Sequence, residues 1–195
     1  MADEKRLLVI NLSIFIERFV SSALSIFLDI ELKTSKTLSN KSSAFSFRQK
    51  LDLLTDIRAT EKADVSKFQL FSEIRNQFAH NYDVHDFTTC LTFLDGAENF
   101  LRKNYIVEGL ENVDNEEQLH MLYKTLFRDV MDVSFKILKK VDEKIINIGK
   151  EQGIKEAYQS VLAAMKEYAL TDENFNEKYN KIIDETLTRI REDKT

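Results

Sequence analysis

The chain has no proline, one cysteine and four glycines in its 195 residues. Without proline, and with glycine only at Gly96, Gly109, Gly149 and Gly153, it has little means of making many tight turns, so long helices are expected. The single Cys90 excludes a disulfide framework and a thiolate metal site, and it fits a reducing compartment. A basic stripe of the kind that tracks a phosphate backbone is also missing. Residues 1–105 carry 14 basic and 14 acidic side chains, leaving 14 against 19 for residues 106–195, which accounts for the whole net charge of −5. No glycine-rich phosphate loop, nucleophile elbow or zinc-finger spacing occurs. His80 and His85 are not at the i, i+4 spacing that pairs two helical ligands, so no metal and no cofactor is expected.

Apolar residues recurring at helical spacing are abundant. From about Glu4 to Lys33 they wrap most of a first helix, which implies cover on several sides, by neighbouring helices or by a second subunit. Glu17 and Arg18 sit near the middle of its apolar segment. Charges at a bilayer centre cost roughly 2.5–3.5 kcal/mol each, so a buried helix is expected there and no membrane partner. The N-terminus carries no cleavage-site pattern, and a cytoplasmic location follows as the expectation.

A polar loop over Thr34 to Ser46 precedes a helix from about Phe47 to Ala59, with Ser46 as its N-cap. A third helix is expected from about Val65 to near Asn81. A fourth, capped by Asp83, should run from about Val84 to Lys103, with Phe87, Leu91, Leu94, Ala97 and Leu101 facing inward and Cys90 as an inert core thiol. Beyond a polar segment, Leu119, Leu122, Leu126, Val130, Val133, Ile137, Val141, Ile145 and Ile148 mark one long amphipathic helix. Two more are expected over about 154–170 and 173–191. Lys136, Lys139, Lys140 and Lys144 read as a solvated face, and His120 as a partly exposed helix residue.

Functional side-chain types crowd together only between Arg75 and Tyr82. On a wheel of about 100° per residue, Phe71, Ile74, Phe78 and Tyr82 form an apolar stripe, and Asn76 and His80 are i, i+4 neighbours on the polar side. Arg75 falls on the shoulder of the stripe, about 140° and about 7.5 Å from His80. Those two side chains do not converge within one straight helix; they meet if the helix ends or bends near Ala79, if the arginine stem wraps round, or if two copies of the chain face each other. Each residue also has an ordinary structural reading: an ion-paired arginine, a histidine at the last carbonyls, an asparagine stop and a tyrosine packed on Phe78.

The run Arg75-Asn76-x-x-x-His80 resembles the signature of the HEPN superfamily, all-helical proteins in which an arginine, a polar residue directly after it and a histidine four to six residues on form the motif. Arg75, His80 and Tyr82 resemble the R-x4-H-x-Y of toxins paired with minimal nucleotidyltransferase antitoxins. Phe45, Phe47 and Leu51, then Ile74-Arg75-Asn76 and Phe78-Ala79-His80, are similar to the mannitol operon repressor family. The resemblance covers about residues 5–105. It implies an all-α, HEPN-like antiparallel four-helix bundle over 1–105; the apolar spacing beyond it reads as a helical C-terminal extension over 106–195 serving packing or dimerisation. The resemblance further implies a homodimeric, metal-independent ribonuclease, toxin-like or defence-related. In that reading His80 is the general acid or base, Arg75 stabilises the phosphorane, Asn76 orients His80 or the phosphate, and Tyr82 is an adenylylation site. RNA would be the substrate, with an antitoxin or regulatory protein as partner. The alternative is a non-catalytic regulatory or interaction module similar to the mannitol operon repressor family.

Overall fold

The computed structural model describes residues 2–39, 43–107 and 113–148, and the helices expected over 154–170 and 173–191 lie outside them. The described residues are all-α: α1 (Ala2–Leu28), α2 (Phe47–Asp56), α3 (Lys62–His80), α4 (Phe87–Thr92), α5 (Ala97–Asn104) and α6 (Asn115–Ile148). The centre is built by α1, α3 and α6, with α2 against α1 and α3, and α4 and α5 against α6. Lys5 meets Glu116 and Lys144 meets Phe27, so α6 runs alongside α1 in the same direction. Arg6 reaches the last turn of α3, which therefore runs opposite to both.

One core takes side chains from all of these helices. Leu12, Ile16 and Leu24 of α1 meet Phe68, Phe71, Ile74 and Phe78 of α3 in it. The expected stripe of α6, from Leu119 to Val141, is buried in the same core. Phe71 stacks on Tyr123 at 5.5 Å, and Phe78 meets Phe87 edge-on at 5.1 Å. Burying one such ring contributes on the order of 1.5–3 kcal/mol.

Several helix bounds differ from the sequence reading, and each difference has a local cause. The first helix ends at Leu28, not near Lys33. Asp29 turns left-handed at φ 58°, the amide of Asp29 donates to Ile26 O, and that of Ile30 donates to Ser25 O at 2.8 Å. α2 stops at Asp56 in the same way, with Arg58 at φ 59° and the amide of Ala59 donating to Leu54 O. Both are Schellman endings, for which glycine is the usual residue. This chain makes them with a positive φ at side-chain-bearing residues. Ser46 caps α2 as expected, in a capping box closed by Gln49.

The single fourth helix is replaced by α4 and α5. Asp83 is not its cap: the amide of Asp83 donates to the Asn81 side chain in a turn, and Asp86 caps α4 by accepting from the Thr89 amide at 2.6 Å. Gly96 is left-handed at φ 70° between the two helices and re-aims the chain there. Nothing lies within 4 Å of a Cβ at Gly96, so the backbone angle alone asks for glycine.

Lysines of α6 hold the far ends of other helices. Lys144 donates to Phe27 O and lies over the Phe27 ring, Lys140 donates to Arg58 O at 2.9 Å, and Lys136 lies 3.8 Å from Asp64. The face is solvated as expected at Lys136, Lys139 and Lys140, and Lys144 and Lys140 in addition satisfy carbonyls at or just past the ends of α1 and α2. Over Glu4–Leu28, α1 is long and apolar enough to cross a membrane by length and composition, and half of its most apolar stretch is buried inside the molecule.

Candidate functional site

α3 is regular to His80 and stops there, because Asn81 adopts an extended backbone at φ −97° and ψ 118°. The stop is anchored from outside the helix. Arg6 of α1 donates from Nε to Phe78 O at 2.6 Å and from its terminal nitrogen to Asn81 O at 3.2 Å. A cation at the negative end of a helix dipole is favourable, and this one also satisfies the last carbonyls.

The stop changes what the wheel implied for Tyr82. That residue was placed on the apolar stripe with Phe78, yet it is 85% exposed, since the chain has left the helix before reaching it. Its ring meets His85 edge-on at 6.1 Å. Asn76 and His80 are exposed on one face of α3, as the i, i+4 spacing requires. Asn76, Gln77, His80, Asn81, Tyr82 and Asp83 line one open depression around the end of the helix.

Arg75 does not line that depression. Its guanidinium turns to α1, where a terminal nitrogen lies 3.4 Å from Glu17 Oε1. The other donates to Asn76 Oδ1 at 3.0 Å, and Nε is buried without a hydrogen-bond partner. The pair with Glu17 is about a quarter to a third exposed, which limits its contribution to about 1 kcal/mol or less. The structure thus brings Asn76, His80 and Tyr82 together. It leaves Arg75 linked to them only through Asn76. Beside this pair, Lys50 of α2 is buried and donates to Ser21 Oγ at 2.9 Å. Burial holds that amine below its ordinary range, partly offset by Glu17.

On the other side of the segment 81–86 the polar groups are tied together. The Glu116 carboxylate accepts from Lys5 Nζ, the amides of Phe87 and Thr88, and Thr88 Oγ1, all at 2.8–2.9 Å. Burial alone would raise its pKa, but those donors outweigh it and hold the carboxyl below its ordinary value. His120 is a partly exposed helix residue, as expected, its side chain 12% exposed and its ring stacked on Phe87 at 5.4 Å. Burial, then Lys124, hold its imidazole below the ordinary value against the pull of Glu117. Cys90 is buried and its thiol is pushed up to about 12, by burial first and then by Asp86 and Glu116.

Among the described residues, no group of three histidine, cysteine, aspartate or glutamate side chains is arranged for a metal ion. Arg6, Glu17 and Glu116 were missed by sequence reasoning. Their partners lie 72, 58 and 29 positions away, and nothing in local spacing points to them. No protein-family model, curated protein or solved structure gives a significant match to this chain.

Proposed function

We propose that this chain is a metal-independent RNA endonuclease of the HEPN type, toxin-like or defence-related, that acts as a homodimer. The supporting observation is the pairing of an exposed His80 with an exposed Asn76, beside a guanidinium that already hydrogen-bonds Asn76. In such a site the RNA 2′-OH loses its proton and attacks the adjacent phosphate, the P–O5′ bond breaks and the leaving 5′-oxygen takes up a proton, giving a 2′,3′-cyclic phosphate and a 5′-hydroxyl end. His80 acts as general acid or base, a task suited to imidazole at neutral pH. Arg75 stabilises the charge of the phosphorane, and Asn76 orients the phosphate or His80. Tyr82, exposed at the rim of the same depression, is available for adenylylation by a partner enzyme. The reading is tested by incubating the purified full chain with single-stranded RNA and a chelator. Cleavage that Arg75→Ala removes is expected, and an inert wild-type protein would overturn it.

A second reading has its own observation. Arg75 is held by Glu17 rather than aimed at the depression, as a scaffold arginine would be. A non-catalytic regulatory or interaction module, similar to the mannitol operon repressor family, would use these residues that way. It predicts the same helical content and no cleavage for wild type and Arg75→Ala alike.

A further inference from the structure

The first half of α1 carries a surface stripe that no described helix covers. Glu4, Leu7, Asn11, Ile14 and Arg18 are all exposed, and they follow one another at spacings of three, four, three and four. On a helix this pattern is a single seam, the arrangement by which one helix meets another. Leu7 is 59% exposed and Ile14 44%, two turns apart on one face of a helix whose opposite face is buried. Half-buried Leu8, Ile10 and Phe15 flank the stripe.

The stripe is complementary to itself in one orientation only. Arg18 lies seven residues after Asn11 and Glu4 seven before it, about 10.5 Å either way along the axis. Leu7 and Ile14 lie about 6 and about 4.5 Å from Asn11 on opposite sides. A second α1 laid antiparallel, with the twofold axis near Asn11, therefore sets Glu4 beside the partner's Arg18 and Leu7 beside the partner's Ile14. A parallel copy would oppose arginine to arginine and glutamate to glutamate, which is unfavourable. An isologous contact needs this kind of self-matching patch.

We infer that the Glu4–Arg18 stripe of α1 is the surface on which a second copy of this chain docks, antiparallel and centred on Asn11. The surface is continuous with the candidate site. Arg6 and Glu17, which share the flank of α1 that faces α3, hold the end of α3 and Arg75 respectively. A copy seated on the stripe therefore lies along the edge that carries Arg75. The inference specifies the homodimer of the proposed function and rests on that reading only for its link to catalysis. The seam itself stands on exposure and charge.

The test uses disulfide trapping in the full chain. Cys90 is buried and its thiol is held almost wholly protonated, so it does not compete. Leu7→Cys and Ile14→Cys proteins, one of them carrying a size tag, are each oxidised alone and, in a parallel sample, mixed as free thiols before oxidation. The expected result is a cross-linked heterodimer in the mixture at least about tenfold more abundant than any homodimer of either protein alone. Sedimentation should show Arg18→Glu weakening association, with the Glu4→Arg, Arg18→Glu double variant restoring it. A monomer at tens of micromolar with no cross-link overturns the inference, as it would if residues 149–195 covered the stripe within one chain. Equal cross-linking of each protein with itself and with the other overturns the antiparallel register. Trapping together with an inert protein in the RNA assay keeps the seam and removes the chemistry; cleavage without trapping does the reverse.

Discussion

His80 and His120 lie on either side of the segment that leads into α4, and their surroundings differ in almost every respect. His120 is stacked on Phe87 and hydrogen-bonded at Nδ1 to Glu117, close to a carboxylate that satisfies the α4 amides. His80 stands exposed with Asn76 over an open depression. An unmade hydrogen bond in the interior costs about 1–3 kcal/mol; the Glu116 carboxylate has four donors, whereas His120 Nε2 is buried without a partner. The Glu116 cluster is accordingly part of the fold. The Asn76 and His80 pair owes little to the fold, and substitution there should report on function without disturbing stability.

The largest effect that sharpens this contrast should come from Phe78→Ala. Its ring is fully buried against Phe87, which in turn stacks on His120. A loss of about 3–5 kcal/mol is expected, measured as a lower midpoint in chemical denaturation. Glu116→Ala comes next. It leaves the Phe87 and Thr88 amides and Lys5 without their acceptor, and about 2 kcal/mol is expected after allowing for a side chain that is one quarter exposed.

The two regions should also differ in their response to pH. Because the folded state holds the His120 imidazole below its ordinary value of 6.5, the unfolded chain takes up a proton first as the pH falls. Stability is therefore full above about pH 6.5, erodes below it, and levels off once the folded-state ring is protonated as well. His120→Gln should flatten that part of the curve. Glu116 acts in a lower window, since its folded-state carboxyl lies below the ordinary 4.5. Its contribution is present above that pH and is lost as the pH falls through the lowered value. The smallest effects belong to the exposed side. Tyr82→Phe and His80→Ala should each shift unfolding by no more than about 0.5 kcal/mol, and a larger loss in either would break the comparison.

Much of the helix framework was legible in the sequence, because the periodic stripes of α1, α3 and α6 and the Ser46 cap are local patterns. The helix ends were harder. Asp29 and Arg58 take left-handed endings that glycine would have announced, and they are held from afar by Lys144 at Phe27 and Lys140 at Arg58. Those contacts span 117 and 82 positions and leave no local trace. At the candidate site, the shared face of Asn76 and His80 and the divergence of Arg75 both followed from helix geometry. Tyr82 did not, since its exposure depends on α3 stopping at His80 under the hold of Arg6. Glu17 as the partner of Arg75 could come only from the packing of α1 on α3.

The central claim is that the exposed Asn76 and His80 pair works on a ligand rather than for the fold. The most direct measurement compares wild type and His80→Ala side by side, for cleavage of single-stranded RNA in chelator and for unfolding midpoint. The predicted result is at least about a 100-fold loss of cleavage with circular dichroism and stability unchanged. Equal cleavage by both proteins, or equal inertness, would contradict it.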